Sequence, residues 1–361
     1  MTAATPRRTF AALLLATTWP LALPAAAAPL DPRAFASQGV LDLAAGSYTL
    51  DSGGALPQLL DSASNVLAWG SLQGQADGFN PQIAVFSFDS LRIGAGASLR
   101  ASGANPVALL SRMGITVDGV LDAAGRQGGP QGAGVGGAAG PGGGQGGHGG
   151  GEGQPGAGPG GGAGGYPGLG NCSWGEGGAY GGGGSNWNPC RSAAPSYGDP
   201  AVLLQGGSGG GGGGANLFGS GPGGGGGGGG LELGALDFNT LVGRARLSVA
   251  GGDFADGLAV NAGGGAGGGL LLHAPVIDLQ GRPEGAPVLD AGGFSGGRIS
   301  FLTAAGSVLG NTAGVTVAAN FWGQPGVITY GTLAAVPEPA SALLLLSGGA
   351  ALLVLRRRRT A

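Results

Sequence analysis

Ile83–Gly94 reads IAVFSFDSLRIG, and Ala108–Gly119 reads ALLSRMGITVDG. Thr240–Gly251 (TLVGRARLSVAG) and Leu270–Gly281 (LLLHAPVIDLQG) align with the second of them without gaps, and with the first after a shift of one residue. Each segment leads through a turn into a second short strand: Leu99-Arg100-Ala101, Leu121-Asp122-Ala123, Leu258-Ala259-Val260 and Leu289-Asp290-Ala291. A looser copy starts near Ile299-Ser300-Phe301, and Val40-Leu41-Asp42-Leu43 is an N-terminal relative. Leu91, Ile115, Leu247 and Ile277 share one position of the alignment. Ile93, Val117, Val249 and Leu279 share the position two residues on, with Arg92, Thr116, Ser248 and Asp278 between. That alternation is the period of a half-buried strand. A unit of about 25 residues cannot bury its apolar face alone, whereas stacked units bury a continuous core. The repeat therefore predicts an all-β fold, a parallel β-solenoid and most simply a right-handed β-helix. Its terminal glycines mark corners, where positive φ costs glycine little. A β-sandwich of short strands is the competing architecture.

Between the second and third copies the composition changes. From Leu121 to Gly230, 52 of 110 residues are glycine. Dinucleotide or phosphate-loop patterns can be drawn anywhere in such a tract, but none has the flanking strand and helix or the lysine that would give it meaning. Residues 126–239 read as a glycine-rich insertion at one corner, between coils 28–125 and coils 240–330. Glycine loses the most entropy on ordering and has no side chain to bury, so a flexible, solvated loop is the plain expectation. A second reading stays open. Glycine recurs at every third position from Gly134 to Gly149 and from Gly162 to Gly168, which suits packed polyproline-II-like runs with glycine where backbones touch. Inside the tract, residues 170–204 hold Cys172, Trp174, Tyr180, Trp187, Cys190 and Tyr197. Two cysteines in an exported chain are expected to pair, Cys172 with Cys190. Free thiols are the alternative, and a metal site lacks the further ligands it would need.

The two ends read as addresses. Arg7 and Arg8, the apolar stretch Phe10 to Leu23, and Ala25-Ala26-Ala27 form a secretory signal over residues 1–27, with cleavage after Ala27. At the other end, Val336-Pro337-Glu338-Pro339-Ala340 precedes an apolar run from Ala342 to Leu355, then Arg356, Arg357, Arg358 and Arg359. As a helix the run covers roughly 24 Å, enough for a short transmembrane helix if the arginines snorkel. The arginine cluster should stay cytoplasmic. Residues 336–360 resemble the PEP-CTERM sorting signal, with its Pro-Glu-Pro, helix and arginine cluster in order. The resemblance implies cleavage near Pro337–Pro339 by an exosortase, a membrane transpeptidase of Gram-negative bacteria. It also implies a link to exopolysaccharide and biofilm. The body between the tags is broadly similar to secreted glycine-rich β-helix proteins.

All 16 basic residues are arginine, and within residues 28–335 ten of them face 18 Asp and Glu. An acidic body disfavours nucleic acid as a partner. The sequence offers no catalytic constellation and calls for no cofactor or metal. His148 lies among glycines, His273 falls in a strand with a structural role, and neither has an evident catalytic partner. Strand carboxylates Asp118, Asp122, Asp278 and Asp290 are the best remaining candidates, and stacking would put Asp122 and Asp290 on one face. Trp174 and Trp187 are the one plausible platform for sugar rings. Two classes of function stay open: a structural or adhesive surface or matrix protein, not an enzyme, and a polysaccharide-binding or polysaccharide-cleaving β-helix, as lyase or glycosidase. Exosortase, the membrane before processing, and extracellular polysaccharide are the expected partners. The expected destination is the cell surface or extracellular matrix.

Overall fold

The computed structural model describes residues 29–76, 81–185, 187–255, 261–280, 287–320 and 323–333. The signal at 1–27 and the sorting segment and apolar helix at 336–360 lie outside the described residues. Among those described, no helix is long and apolar enough to cross a membrane.

The chain is nearly all β, with parallel sheets curled around one apolar core. It begins with β1 (Val40–Asp51), β2 (Gln58–Leu60), β3 (Val66–Trp69) and β4 (Ser71–Gln73), followed by β5 (Ile83–Phe88) and the long β6 (Ser90–Ser102). Three-strand circuits follow. The first is β7 (Val107–Ser111), β8 (Gly114–Val117) and β9 (Val120–Asp122). The next is β10 (Gly230–Ala235), β11 (Phe238–Val242) and β12 (Arg246–Ser248). Then come β13 (Gly269–His273), β14 (Val276–Gln280) and β15 (Val288–Asp290), and after them β16 (Arg298–Thr303), β17 (Leu309–Gly310) and β18 (Val315–Thr316). β19 (Val327–Thr332) closes the series. Each strand pairs in parallel with its counterpart one circuit away, which makes three faces. The first holds β5, β7, β10, β13, β16 and β19. The second holds β8, β11, β14 and β17 on the first half of β6. The third holds β9, β12, β15 and β18 on its second half. Antiparallel β2, β3 and β4 cover the N-terminal end, as a stack with exposed strand edges requires.

Core rows run across the circuits as the alternation predicts, with one correction. On the first face Phe86, Leu109, Leu233, Leu272 and Phe301 stand in register. On the second, Leu41, Leu91 and Ile115 continue into Asn239 and Ile277, and Leu43, Ile93 and Val117 into Leu241 and Leu279. Leu247 is not in this row; it pairs with Leu121 and Leu289 on the third face. The place assigned to Leu258 is thus held by Leu247, and Leu258 itself lies outside the described residues. The frame slips because the third copy has a polar residue in its core row. Asn239 is fully buried, and its Nδ2 donates to the carbonyls of Leu233 and His273, both at 3.0 Å. Consequently the second group of coils starts at Gly230, not at 240.

The largest departure from expectation is the glycine tract, which is packed and not a solvated loop. Residues 206–214 run through its centre and are buried throughout, with Gln205 and Ala215 half-buried at the margins. Their hydrogen bonds step by three. Gly207, Gly210 and Gly213 donate to Gly228, Gly225 and Pro222; Gly211 and Gly214 donate to Glu176 and Ser173; Gly209 and Gly212 donate to Ala157 and Gln154. The same run accepts from Gly144, Gly147 and Gly150, from Gly162 and Gly165, and from Gly263 and Ala266. It is therefore surrounded by six runs of chain. Three residues per turn is the repeat of polyproline II, so successive residues face successive neighbours. The central run carries glycine at every position but one, the buried Ser208. The peripheral runs 134–140 and 143–149 pair with each other and touch the bundle with two residues in three, leaving Val135, Ala138, Gln145 and His148 exposed at the third. Residues 261–268, between β12 and β13, join the bundle as well, so it is continuous with the later coils.

Candidate functional site

Four places carry side-chain chemistry. The first is the outward row of the third face. Register places Asp122, Ser248 and Asp290 side by side, so Asp122 and Asp290 do share one face. They are two strand spacings apart, about 9.6 Å. Asp122 pairs with Arg100 at 2.9 Å and Arg126 at 3.3 Å, and its Oδ1 accepts from the Ala124 amide. Asp290 Oδ1 accepts from the Gly292 amide at 2.8 Å and the Thr316 hydroxyl at 3.3 Å. Asp278 is on the second face, where Gln280 donates to it at 2.8 Å. Asp118 sits at the corner between β8 and β9, its amide on the Ile93 carbonyl. Asp122 pairs with arginine, and Asp122 and Asp290 each close a turn on a backbone amide two residues on. They do not converge, and no group of three or more His, Cys, Asp or Glu able to hold a metal occurs among the described residues.

The second place is the cysteine island. Cys172 and Cys190 form a disulfide with Cα atoms 5.3 Å apart. The island is organised by an acid that the sequence did not single out. Glu176 is fully buried; Ser185 Oγ donates to its Oε2, and the Asn188 amide donates to its Oε1 at 2.8 Å. Burial raises its pKa above the ordinary carboxylate value, partly offset by those two hydrogen bonds. Its backbone carbonyl accepts from Gly211, tying the island to the central run. The tryptophans are not an open platform. Trp187 is 8% exposed. It meets Trp174 edge-on at 5.2 Å and packs on Phe254 and Phe294 at 5.9 and 5.2 Å, with its indole N–H on the Gly175 carbonyl. This is an aromatic core under the island. Replacing both cysteines by alanine should cost about 3 kcal/mol, the chain-entropy value for a loop of this size. Denaturant titration followed by tryptophan fluorescence checks it; an unchanged midpoint would mean that Glu176 alone holds the island.

The third place is the distal end of the glycine bundle. Gly168 donates to Ala215, Gly132 to Ser220 and Ala215 to Gly151, so three loops surround the turn at Asn216–Gly219. Leu217 is 83% exposed and Phe218 61%. Beside it the Arg191 guanidinium lies 3.8 Å over the Tyr166 ring and pairs with Glu152 at 3.0 Å.

The fourth is a buried pair that corrects the reading of the histidines as lacking partners. His273 Nε2 lies 2.8 Å from Glu232 Oε1, across the outer side of the first face, and both residues are buried. His148 Nδ1 accepts from the Gly136 amide at 3.3 Å. Glu232 escaped notice because it alternates with leucines in LELGA; a charged residue between two core leucines is the only signal it leaves.

Residues 335–359 match the PEP-CTERM protein-sorting motif. Neither the curated proteins nor the solved structures give a match to this chain. The motif marks the chain as an exported protein sorted by exosortase. Val336, Pro337, Glu338, Pro339 and Arg356 to Arg359 fall within the matched stretch.

Proposed function

We propose that this exported, exosortase-sorted chain is a structural or adhesive component outside the cell, associated with exopolysaccharide, and is not an enzyme. Under this reading residues 1–27 are removed as a signal, and exosortase cleaves near Pro337–Pro339. The apolar run Ala342 to Leu355 anchors the precursor in the membrane only until then. The circuits form a right-handed β-solenoid, the hand that parallel crossovers overwhelmingly take. One observation carries the proposal: the largest ordered part of the body apart from the coils is a glycine slab whose backbone groups bond to one another. Such a slab gives rigidity with little side-chain chemistry. Weak contacts repeated over many sugar units add by avidity.

The second reading, a polysaccharide lyase or glycosidase, has one point in its favour. The Asp122 to Asp290 spacing is close to the roughly 6.5–9.5 Å between carboxyl groups in inverting glycosidases. Against it stand the two arginines and the amide on Asp122, and the amide and the Thr316 hydroxyl on Asp290. The purified surface protein, screened against bacterial exopolysaccharide and pectin-like polymers with and without Ca²⁺, should bind without turnover. Release of reducing or unsaturated ends that disappears in Asp122→Asn or Asp290→Asn would favour the enzyme. The same material should lack Arg356–Arg359 by intact mass; full-length C termini at the surface would contradict processing.

A further inference from the structure

The Glu232–His273 pair is incomplete. His273 Nε2 and the Leu30 amide both use one oxygen, Glu232 Oε1, at 2.8 and 2.7 Å. The other oxygen, Oε2, is buried and has no hydrogen-bond partner among the described residues. A carboxylate accepts on both oxygens, and native structures seldom leave a buried one empty. Beside the pair is a cavity of about 340 Å³, whose lining includes Pro29, Leu30, Asp31, Arg33, His273 and Leu333. The first and last described stretches of the body thus border one hollow.

The N-terminal stretch is held there by its own packing. Leu30 is 1% exposed and lies in a second apolar cluster with Ile83, Val85, Leu110, Leu204 and Leu271, outside the first face. Its position fixes where the chain just before it can go. Signal removal after Ala27 would leave Ala28 as the first residue, two positions before the amide that already touches Glu232. Two residues span at most about 7 Å, so the α-amino nitrogen of Ala28 can reach the far side of the same carboxylate. We propose that Glu232 is a binding site for a primary ammonium, and that its occupant is the α-ammonium of the mature N-terminus. This rests on the signal reading given under the proposed function. In the precursor the same nitrogen is a neutral amide. Removal of the signal therefore adds a formal positive charge within reach of a carboxylate whose other ionisable contact is His273. The other charged or titratable groups around it are His273 on β13 and Asp31 and Arg33 on the segment itself; Asp31 Oδ1 accepts from the Arg33 amide.

The test is unusually clean because the 361-residue chain contains no lysine, all 16 of its basic residues being arginine. The mature α-amine is then the sole primary amine. The processed protein is collected from the cell surface, and its reductive methylation rate is followed against pH by intact mass. The α-amine should begin at Ala28 and titrate at least one unit above its usual value of about 7.7–8.0. Glu232→Gln should return it to that range. As a second arm that leaves Glu232 in place, a Gly-Ser extension ahead of Ala28 should also titrate normally. Ordinary titration at Ala28 in the unaltered protein would overturn the ammonium site. An N-terminus elsewhere would overturn it through failure of the signal reading, and the mass distinguishes the two. Neither result bears on binding to polysaccharide, which is measured separately.

Discussion

Gly211→Ala should unfold the glycine bundle, while Gly151→Ala leaves it unchanged. A Cβ at Gly211 would stand 2.0 Å from the Ala163 carbonyl oxygen and 2.8 Å from that of Gly162. Both are backbone atoms of a neighbouring run, so no side chain can swing away. Overpacking a core with side-chain freedom costs about 1–3 kcal/mol; here the obstacle is main chain, and the loss should reach the top of that range or exceed it. Gly151 has nothing within 4 Å of the added atom, and a surface change of that kind stays within about 0.5 kcal/mol. Thermal denaturation gives the difference. Amide exchange locates it, with protection lost along residues 206–214 in the first variant alone. Equal stability of the two variants would mean that the runs are not in contact.

Val117→Asp should prevent folding of the coils, and Thr116→Asp should be tolerated. Val117 is fully buried between Ile93 and Leu241 on neighbouring circuits. An unpaired carboxylate there costs several kcal/mol, or remains protonated at a similar cost. Thr116 is on the other side of the same strand, partly exposed, with Arg92 opposite on β6. A carboxylate at 116 meets an arginine and water. Circular dichroism and cooperative melting separate the outcomes, and similar behaviour of both variants would contradict the assigned faces. Val117 is the better probe than Val249 with Ser248, because Ser248 lies between two aspartates and a charge there would test repulsion as well as burial.

The sequence carries the β architecture in its apolar alternation, and β1, β6, β8, β14 and β16 follow the rows read from it. It misplaces the third circuit for a local reason. Alignment on terminal glycine chose Thr240–Gly251, whereas the second-face strand is Phe238–Val242, whose buried Asn239 breaks the apolar row. A hydrophobic pattern cannot reveal a polar core residue whose hydrogen bonds come from carbonyls remote in sequence. The glycine tract was half legible. The three-residue period from Gly134 to Gly149 is the mark of a peripheral run, but the unbroken runs Gly209–Gly214 and Gly223–Gly230 look like plain low complexity. They are the interior positions, and only the neighbours reveal it. Tryptophans in a polar, glycine-rich stretch suggested a ligand platform; the packing of Trp187 on Phe254 and Phe294 depends on residues more than sixty positions away.

The six-neighbour packing of residues 206–214 also governs what inheritance can do to this protein. Glycine codons all begin GG, and any single-base change that alters the amino acid introduces at least a Cβ or ends translation. At Gly209, Gly210, Gly211, Gly212 and Gly214 that atom would meet a backbone oxygen at 2.0–2.2 Å. Those central positions therefore have no neutral one-step variants, whereas the peripheral runs 134–140 and 143–149 are open at one position in three. Lineages carrying this architecture should diversify at its rim and loop tips, with central runs almost monotonous, and change thickness by gaining or losing whole runs.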